Sequence, residues 1–262
     1  MLYIVTPAVI INSFNRELDF GMLKGFIIVF VLTIVIHFLN TLCAFVAVKD
    51  KNTSREKVLR LAVVFSNCGY MSFPLQNAIL GTDGVFFGTA YVAVFNILLW
   101  TLGEGIIKGK FEFYPKKIFF NPGIIGTVIG LIIFLTPIKI PYILANPVSS
   151  LAALNTPLAM IIIGFHLANS TLKLNKANEW FTLALRLIVS PLIMIVGMLL
   201  LGIRGELLIV CAISSSAPIA AAVTMFSNKY NADTPLAASI TSISTLISVV
   251  TMPIIVGIAQ YF

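Results

Sequence analysis

The stretch SNCGYMSFPLQNAILG, Ser66 to Gly81, decides how this chain is read. It opens with small polar residues, carries Gly69, and places Pro74 inside an otherwise apolar run. Proline removes an amide donor and disturbs the carbonyl four residues back. In water that is tolerable. In hydrocarbon, orphaned backbone groups cost several kcal/mol unless something satisfies them. Ser66, Asn67 and Ser72 are the kind of neighbours that do so. A second stretch, ISSSAPIAAAV from Ile213 to Val223, repeats the arrangement with Pro218 beside Ser214, Ser215 and Ser216.

The rest of the chain indicates that the solvent is lipid. Of 262 residues, 59% are hydrophobic and 10% charged, and the mean hydropathy is +1.02. Soluble chains carry about 25% charged residues. Apolar runs cover roughly 1–14, 22–48, 58–80, 85–107, 119–137, 147–169, 180–202, 206–228 and 235–260, about nine spans at about 20 residues each. Only the first, Met1 to Ser13, is too short to cross alone, and it lacks the basic start of a signal peptide. The expected fold class is all-α integral membrane, a single transmembrane unit over residues 1–262.

The net charge of +7 does not point to nucleic acid, because the basic residues occupy short loops. Lys49, Lys51, Arg55, Lys57, Lys108, Lys110, Lys116, Lys117, Lys173, Lys176 and Lys229 fall on one side. Arg16, Lys24, Lys139 and Arg204 fall on the other. The rich side is cytoplasmic by the positive-inside rule, which predicts a multi-pass cell-membrane protein with an extracytoplasmic C-terminus. Arg186 lies about two turns inside its run and is expected to snorkel to that side. Cys43, Cys68 and Cys211 all lie in apolar runs, and no metal or cofactor motif occurs. No Walker A sequence occurs either.

An offset of about 150 residues relates the two halves. Thr6-Pro7 matches Thr156-Pro157, Asp83 matches Asp233, and Arg55 meets Arg204 within a residue. The copies face opposite ways, as in the inverted repeats of secondary transporters. Repeat one is 1–110 and repeat two 118–262. The two proline-broken helices are expected to cross near the bilayer midplane, their half-helix N-termini offering amide hydrogens to an anion.

The segment Val64 to Leu75, with its pattern F-S-N-x-G-x-x-x-x-P, resembles the first broken helix of the auxin efflux carrier family, whose bacterial members are malate, malonate and related permeases. Ser216-Ala217-Pro218-Ile219-Ala220, Tyr230, Asp233 and the Ser-Thr-rich stretch up to Pro253 are similar to that family's last two helices. Asn121-Pro122-Gly123 and Thr156-Pro157-Leu158 with Gly164 also fit. The resemblance implies two inverted five-helix repeats, a fold like that of bile acid–sodium symporters, with about nine of ten expected spans present and the first absent. It implies that Asn67, Gly69 and Pro74 belong to the first crossing motif and Pro218 to the second.

Substrate-binding candidates are therefore Asn67, Cys68, Gly69, Ser72, Pro74, Asn96, Ser214, Ser215, Ser216 and Pro218. Asn96 reads equally well as a helix–helix hydrogen bond. His37 and Asn40, a turn apart, are candidates for proton coupling or for a structural pair. The other histidine, His166, reads as structural. Gly126-x-x-x-Gly130 is a close-packing face, internal or joining two protomers as a homodimer.

The expected function is a secondary carrier moving a small organic anion by alternating access. The partners are that anion, the bilayer, and sodium or a proton as coupling ion. No carboxylate lies at mid-span, so sodium held by backbone carbonyls, uncoupled movement along the membrane potential and a His37 relay all stay open. A channel is the alternative, distinguished by single-channel currents. A membrane-embedded enzyme is the third reading; it lacks a nucleophile–base pair, since the two histidines lie in distant spans.

Overall fold

A computed structural model of the chain describes residues 1, 3–110, 115–136, 140–168 and 172–262, without the side chains of Pro115 and His166. Lys139 and the expected structural role of the His166 ring thus lie outside the described residues. The first half runs α1 (Val5–Phe14), α2 (Phe20–Ala47), α3 (Thr53–Val64), α4 (Ser72–Leu98), α5 (Glu104–Lys108) and α6 (Pro115–Phe119). The second runs α7 (Pro122–Leu135), α8 (Tyr142–Ala153), α9 (Asn155–Ala168), α10 (Ala177–Ala184), α11 (Ser190–Leu200), α12 (Glu206–Ser216), α13 (Ala221–Lys229) and α14 (Thr234–Tyr261).

Helix α2 is inside-out by the standards of a soluble protein. Its exposed residues include Ile27, Val31, Val35, Phe38 and Leu42, spaced three and four apart along one face. Its buried face carries Thr33, His37 and Asn40 beside Val29 and Ile36. A helix that turns apolar side chains outward and polar ones inward is built for hydrocarbon.

Five helical stretches are long and apolar enough to cross a membrane: Phe20–Ala47, Ser72–Lys108, Tyr142–Phe165, Ala177–Leu200 and Thr234–Tyr261. Val5–Phe14, Pro122–Leu135 and Glu206–Ser216 are apolar but shorter. Hydropathy suggests about nine apolar runs, the first of them too short to cross alone. The difference has local causes. The 58–80 and 206–228 runs are each broken in the middle, and the 147–169 run is interrupted at Leu154. Ser72–Lys108 is two helices that meet at a reversal at Gly81 (φ 63°, ψ −149°), a backbone conformation that side chains rarely permit, and Gly88 folds back against Gln76.

The glycine pair of α7 is an internal face. A methyl group at Gly126 would stand 3.0 Å from Pro7 Cα, and one at Gly130 would stand 2.5 Å from the Phe14 ring. The absent side chains let α1 lie directly on α7. Phe14 then meets Phe26, Phe86 and Phe134, with ring centroids 5.6, 4.9 and 6.1 Å away.

Asn121 starts α7. Its Oδ1 accepts from Gly123 N–H (2.8 Å) and Ile124 N–H (3.2 Å), while Pro122 fills the first helical position, where no donor is needed. Its Nδ2 donates to Asn96 Oδ1 at 3.3 Å. Asn121→Ala is expected to lower stability by about 1–2 kcal/mol, seen as an earlier thermal transition of the detergent-solubilised protein. An unchanged transition would mean the cap contributes nothing.

Candidate functional site

Both proline-bearing stretches are interrupted helices, and the interruptions bind each other. Helix α3 stops at Val64 and the chain resumes helix at Ser72; α12 stops at Ser216 and α13 begins at Ala221. Between them, Ser66 and Ile219 form an antiparallel bridge. Asn67 N–H donates to the Pro218 carbonyl at 2.7 Å, and Ala220 N–H donates to the Phe65 carbonyl at 3.0 Å. Two extended segments thus satisfy each other where neither has helical partners. Pro74 sits in the first turn of α4, where its missing amide costs nothing. Pro218 sits in the extended link and contributes its carbonyl. Neither proline kinks a continuous helix.

Stopping two helices at the same depth leaves two sets of carbonyls without partners. Arg186 meets both. Its Nη1 donates to the Val63 and Val64 carbonyls (3.2 and 3.5 Å), at the end of α3, and its Nη2 donates to the Ser215 carbonyl, at the end of α12. The side chain is fully buried. The snorkelling expected from its place in the sequence is therefore wrong. Distance to the span end suggested an exit to water; the carbonyls of the interrupted helices, invisible in hydropathy, hold the guanidinium inside. A π-turn at Leu185–Val189 carries Arg186, and Pro191, which lacks the amide that would close the regular turn, follows it. Asn40 Nδ2 donates to Ser190 Oγ at 2.8 Å and pins α2 to this region.

The candidates read from sequence occupy varied positions. Asn67 and Cys68 are buried in the break, and Gly69 faces open space. Ser72 Oγ reaches the Ile213 carbonyl at 3.4 Å. Ser215 and Ser216 return their hydroxyls to Ala212 and Ile213 of their own helix, at 3.3 and 3.2 Å. Ser214 Oγ accepts from Gln76 Nε2 at 2.9 Å, and the same Nε2 stands 3.4 Å from the Val210 carbonyl. Gln76 was not singled out, although it lies in the opening stretch. Asn96 is engaged with Asn121 and the Val92 carbonyl (2.9 Å), the helix–helix role rather than a place in the break.

His37 and Asn40 do not bond each other. His37 Nδ1 lies 2.8 Å from the Thr33 carbonyl, so that nitrogen carries the proton; Nε2 has no hydrogen-bond partner. The ring sits between Phe65 and Tyr91, centroids 5.8 and 5.6 Å away.

A cavity of about 320 Å³ lies between α1, α4, α8 and α9, and the paired residues Phe65–Asn67 and Pro218–Ala220 are not among its lining. Asn12 and Ser13 of α1, Phe73 and Asn77 of α4, Ser149 of α8, and Asn155 and Thr156 of α9 contribute to its wall, and none of its lining residues is charged. It meets the first turn of α4 through Phe73 and continues along that helix to Thr82 and Val85, and it reaches the start of α9 through Asn155 and Thr156. Helix α4 has no side-chain cap at its start. Asn155 is 5% exposed and its Oδ1 has no hydrogen-bond partner. None of the lining residues is among the candidates read from the sequence, though Phe73 lies between Ser72 and Pro74 and Asn77 three residues beyond. The Thr156-Pro157 repeat was the signal that could have led there.

Ion pairs close both ends of the bundle. At one end Arg16 Nη1 meets Asp83 Oδ1 at 2.6 Å, joining the tail of α1 to the turn after Gly81. At the lysine-rich end Arg55 contacts Asp50, Glu179 and Asp233. The Asn52 N–H donates to Asp50 (2.9 Å) and holds that carboxyl below its ordinary range. Glu104 pairs with Lys108 and Lys117, at 2.8 and 2.5 Å, and accepts from Tyr230 Oη at 2.6 Å.

Apolar helices facing outward, two interrupted helices paired edge to edge, and a neutral cavity at helix N-termini define a polytopic membrane transporter. The comparisons agree. A family model described as "Membrane transport protein" matches residues 1–114 and 110–256. The chain belongs to the auxin efflux carrier family of membrane transport proteins. It is 25% identical to an "Uncharacterized transporter" of Methanothermobacter thermautotrophicus, over 97% of this chain and 85% of that one. It is 26% and 29% identical to Auxin efflux carrier components 7 and 1 of Arabidopsis thaliana, over 44% of this chain. These matches span only 20% of either plant carrier's length.

Proposed function

We propose that the protein is a secondary carrier for a small organic carboxylate, moving it by alternating access at the crossing of the two interrupted helices. The pairing of Asn67 with Pro218 and of Ala220 with Phe65 carries this reading, because it creates resumed helices that begin inside the protein. Each helix N-terminus is worth roughly half a positive charge. A carboxylate in the neutral cavity meets the starts of α4 and α9, with Asn155, Asn77 and Thr156 as hydrogen-bonding neighbours. The plant relatives' names, which refer to auxin, agree with an organic anion. Malate and malonate are the first substrates to test.

The offset pairs Thr6-Pro7 with Thr156-Pro157 and Asp83 with Asp233, and the two breaks bind antiparallel. Both features support two oppositely oriented repeats spanning the cell membrane, with the lysine-rich end cytoplasmic and the C-terminus outside.

The test is uptake of radiolabelled malate and malonate into proteoliposomes holding the purified chain. Saturable uptake, accelerated by unlabelled substrate on the other side, is expected. Absence of flux across a panel of mono- and dicarboxylates, or unitary currents in a planar bilayer, would remove the carrier reading.

A further inference from the structure

Carriers with interrupted helices use unwound carbonyls and half-helix C-termini to coordinate a coupling cation. Here both C-termini meet at one point, and a side chain is already there. We propose that Arg186 is a tethered cation occupying the position a mobile coupling ion would fill, so that removing its charge makes the protein depend on a cation from solution.

The charge arithmetic supports this. Each helix C-terminus carries roughly half a negative charge, so α3 and α12 together present about one. The guanidinium supplies one positive charge. Its donors reach the last carbonyls of both helices, Val63 and Val64 on one and Ser215 on the other. Among the described residues no carboxylate pairs with Arg186, so its charge is balanced by these backbone ends. Among the described residues its near neighbours carry no carboxylate: Tyr91 and Cys68 lie close to the guanidinium, Ser66 bonds to Tyr91, and the His37 ring packs on Tyr91. A sodium ion added to this set would put a second positive charge where one suffices. Arg186 Nε has no partner in the protein, so the guanidinium is held through its terminal nitrogens, at the carbonyls and beside the Tyr91 hydroxyl.

The guanidinium is also planar and forked, which suits contact with two chain ends at once. It positions the crossing without touching the cavity, whose lining does not include it. This inference rests on the carrier reading for its transport arm alone.

The experiment compares wild type, Arg186→Ala and Arg186→Lys in two assays. The first is thermal unfolding of detergent-solubilised protein in choline, sodium or guanidinium chloride at low millimolar concentration, which needs no substrate. Arg186→Ala is expected to unfold earlier than wild type in choline and to regain most of the difference in guanidinium or sodium. Wild type is expected to respond equally to all three salts. The second is carboxylate uptake in the same salts. Wild-type flux is expected to change less than twofold, while Arg186→Ala loses at least tenfold in choline and recovers with guanidinium or sodium. Arg186→Lys keeps a tethered charge and is expected to stay indifferent to the salt, even if Arg186→Ala cannot be purified.

A wild type that needs sodium overturns the proposal. So does an Arg186→Ala protein that matches wild type in choline, one that no cation restores, or an Arg186→Lys protein that needs sodium. Failure of every carboxylate to move would end the proposed function but leave the thermal comparison to decide this point.

Discussion

Asn155→Asp is expected to abolish carboxylate uptake while leaving the protein folded. The change keeps the shape of a side chain that lies 95% buried in the cavity wall and adds one negative charge. Two like charges about 4 Å apart at an effective dielectric of about 20 repel by roughly 4 kcal/mol, about a thousandfold in binding. No lining residue of the cavity is charged, and Arg16, which bonds the Ser13 carbonyl, is already paired with Asp83. The new carboxyl loses its charge when protonated, so uptake should return as the medium is acidified, and Asn155→Ser should lose far less at every pH. The measurement is initial uptake into proteoliposomes with a thermal transition recorded beside it. Near-normal uptake by Asn155→Asp at neutral pH would place the substrate elsewhere.

The second large effect concerns Gly88. A methyl group there would stand 2.1 Å from Gln76 Oε1. Gln76 is the end of a flexible side chain, but it is fully buried and its amide nitrogen is committed to Ser214 Oγ. It cannot move aside without breaking the bond that ties α4 to α12. Overpacking of this kind costs about 1–3 kcal/mol, and stranding a buried hydrogen-bonding group adds a similar amount. Gly88→Ala is therefore expected to unfold many degrees earlier. Gln76→Ser removes the obstacle, so Gly88→Ala/Gln76→Ser should unfold no earlier than Gln76→Ser alone, a coupling of at least about 1 kcal/mol. Strictly additive losses would mean that Gly88 accommodates something other than Gln76.

The sequence disclosed the location of the breaks but not what holds them. Pro74, Pro218 and their serine neighbours mark the two interruptions, because a missing amide in hydrocarbon has to be managed where it occurs. Their mutual pairing follows from the 150-residue offset only as a possibility, and the bridge between Ser66 and Ile219 turns it into hydrogen bonds. The place of Arg186 near its span end suggests snorkelling, but the carbonyls of α3 and α12 that hold it leave no mark in hydropathy. The better rule was that an intramembrane charge marks a site until a partner is found. Asn96 reads as a site residue by composition, being an amide in a span, whereas its partner Asn121 is the cap of α7, 25 residues further on. The cavity was hidden for a different reason. Asn12, Asn77 and Asn155 are ordinary polar residues at helix ends, and only the packing of α1 against α4, α8 and α9 brings them together.

The pairing across the crossing also constrains how the protein is made. The partners of Asn67 and Phe65 are Pro218 and Ala220, and Arg186 follows Val63 by 123 residues. The ribosome therefore delivers the first break long before anything that can satisfy it. Until the second half emerges, the segment around Asn67 has to remain at a wet boundary, in a protected channel or in the care of an insertion factor, because bare amides and carbonyls do not partition into lipid. Final placement of α3 and the start of α4 is accordingly a late, post-insertion event, and the nascent chain passes through a stage in which the first break is its least membrane-compatible part.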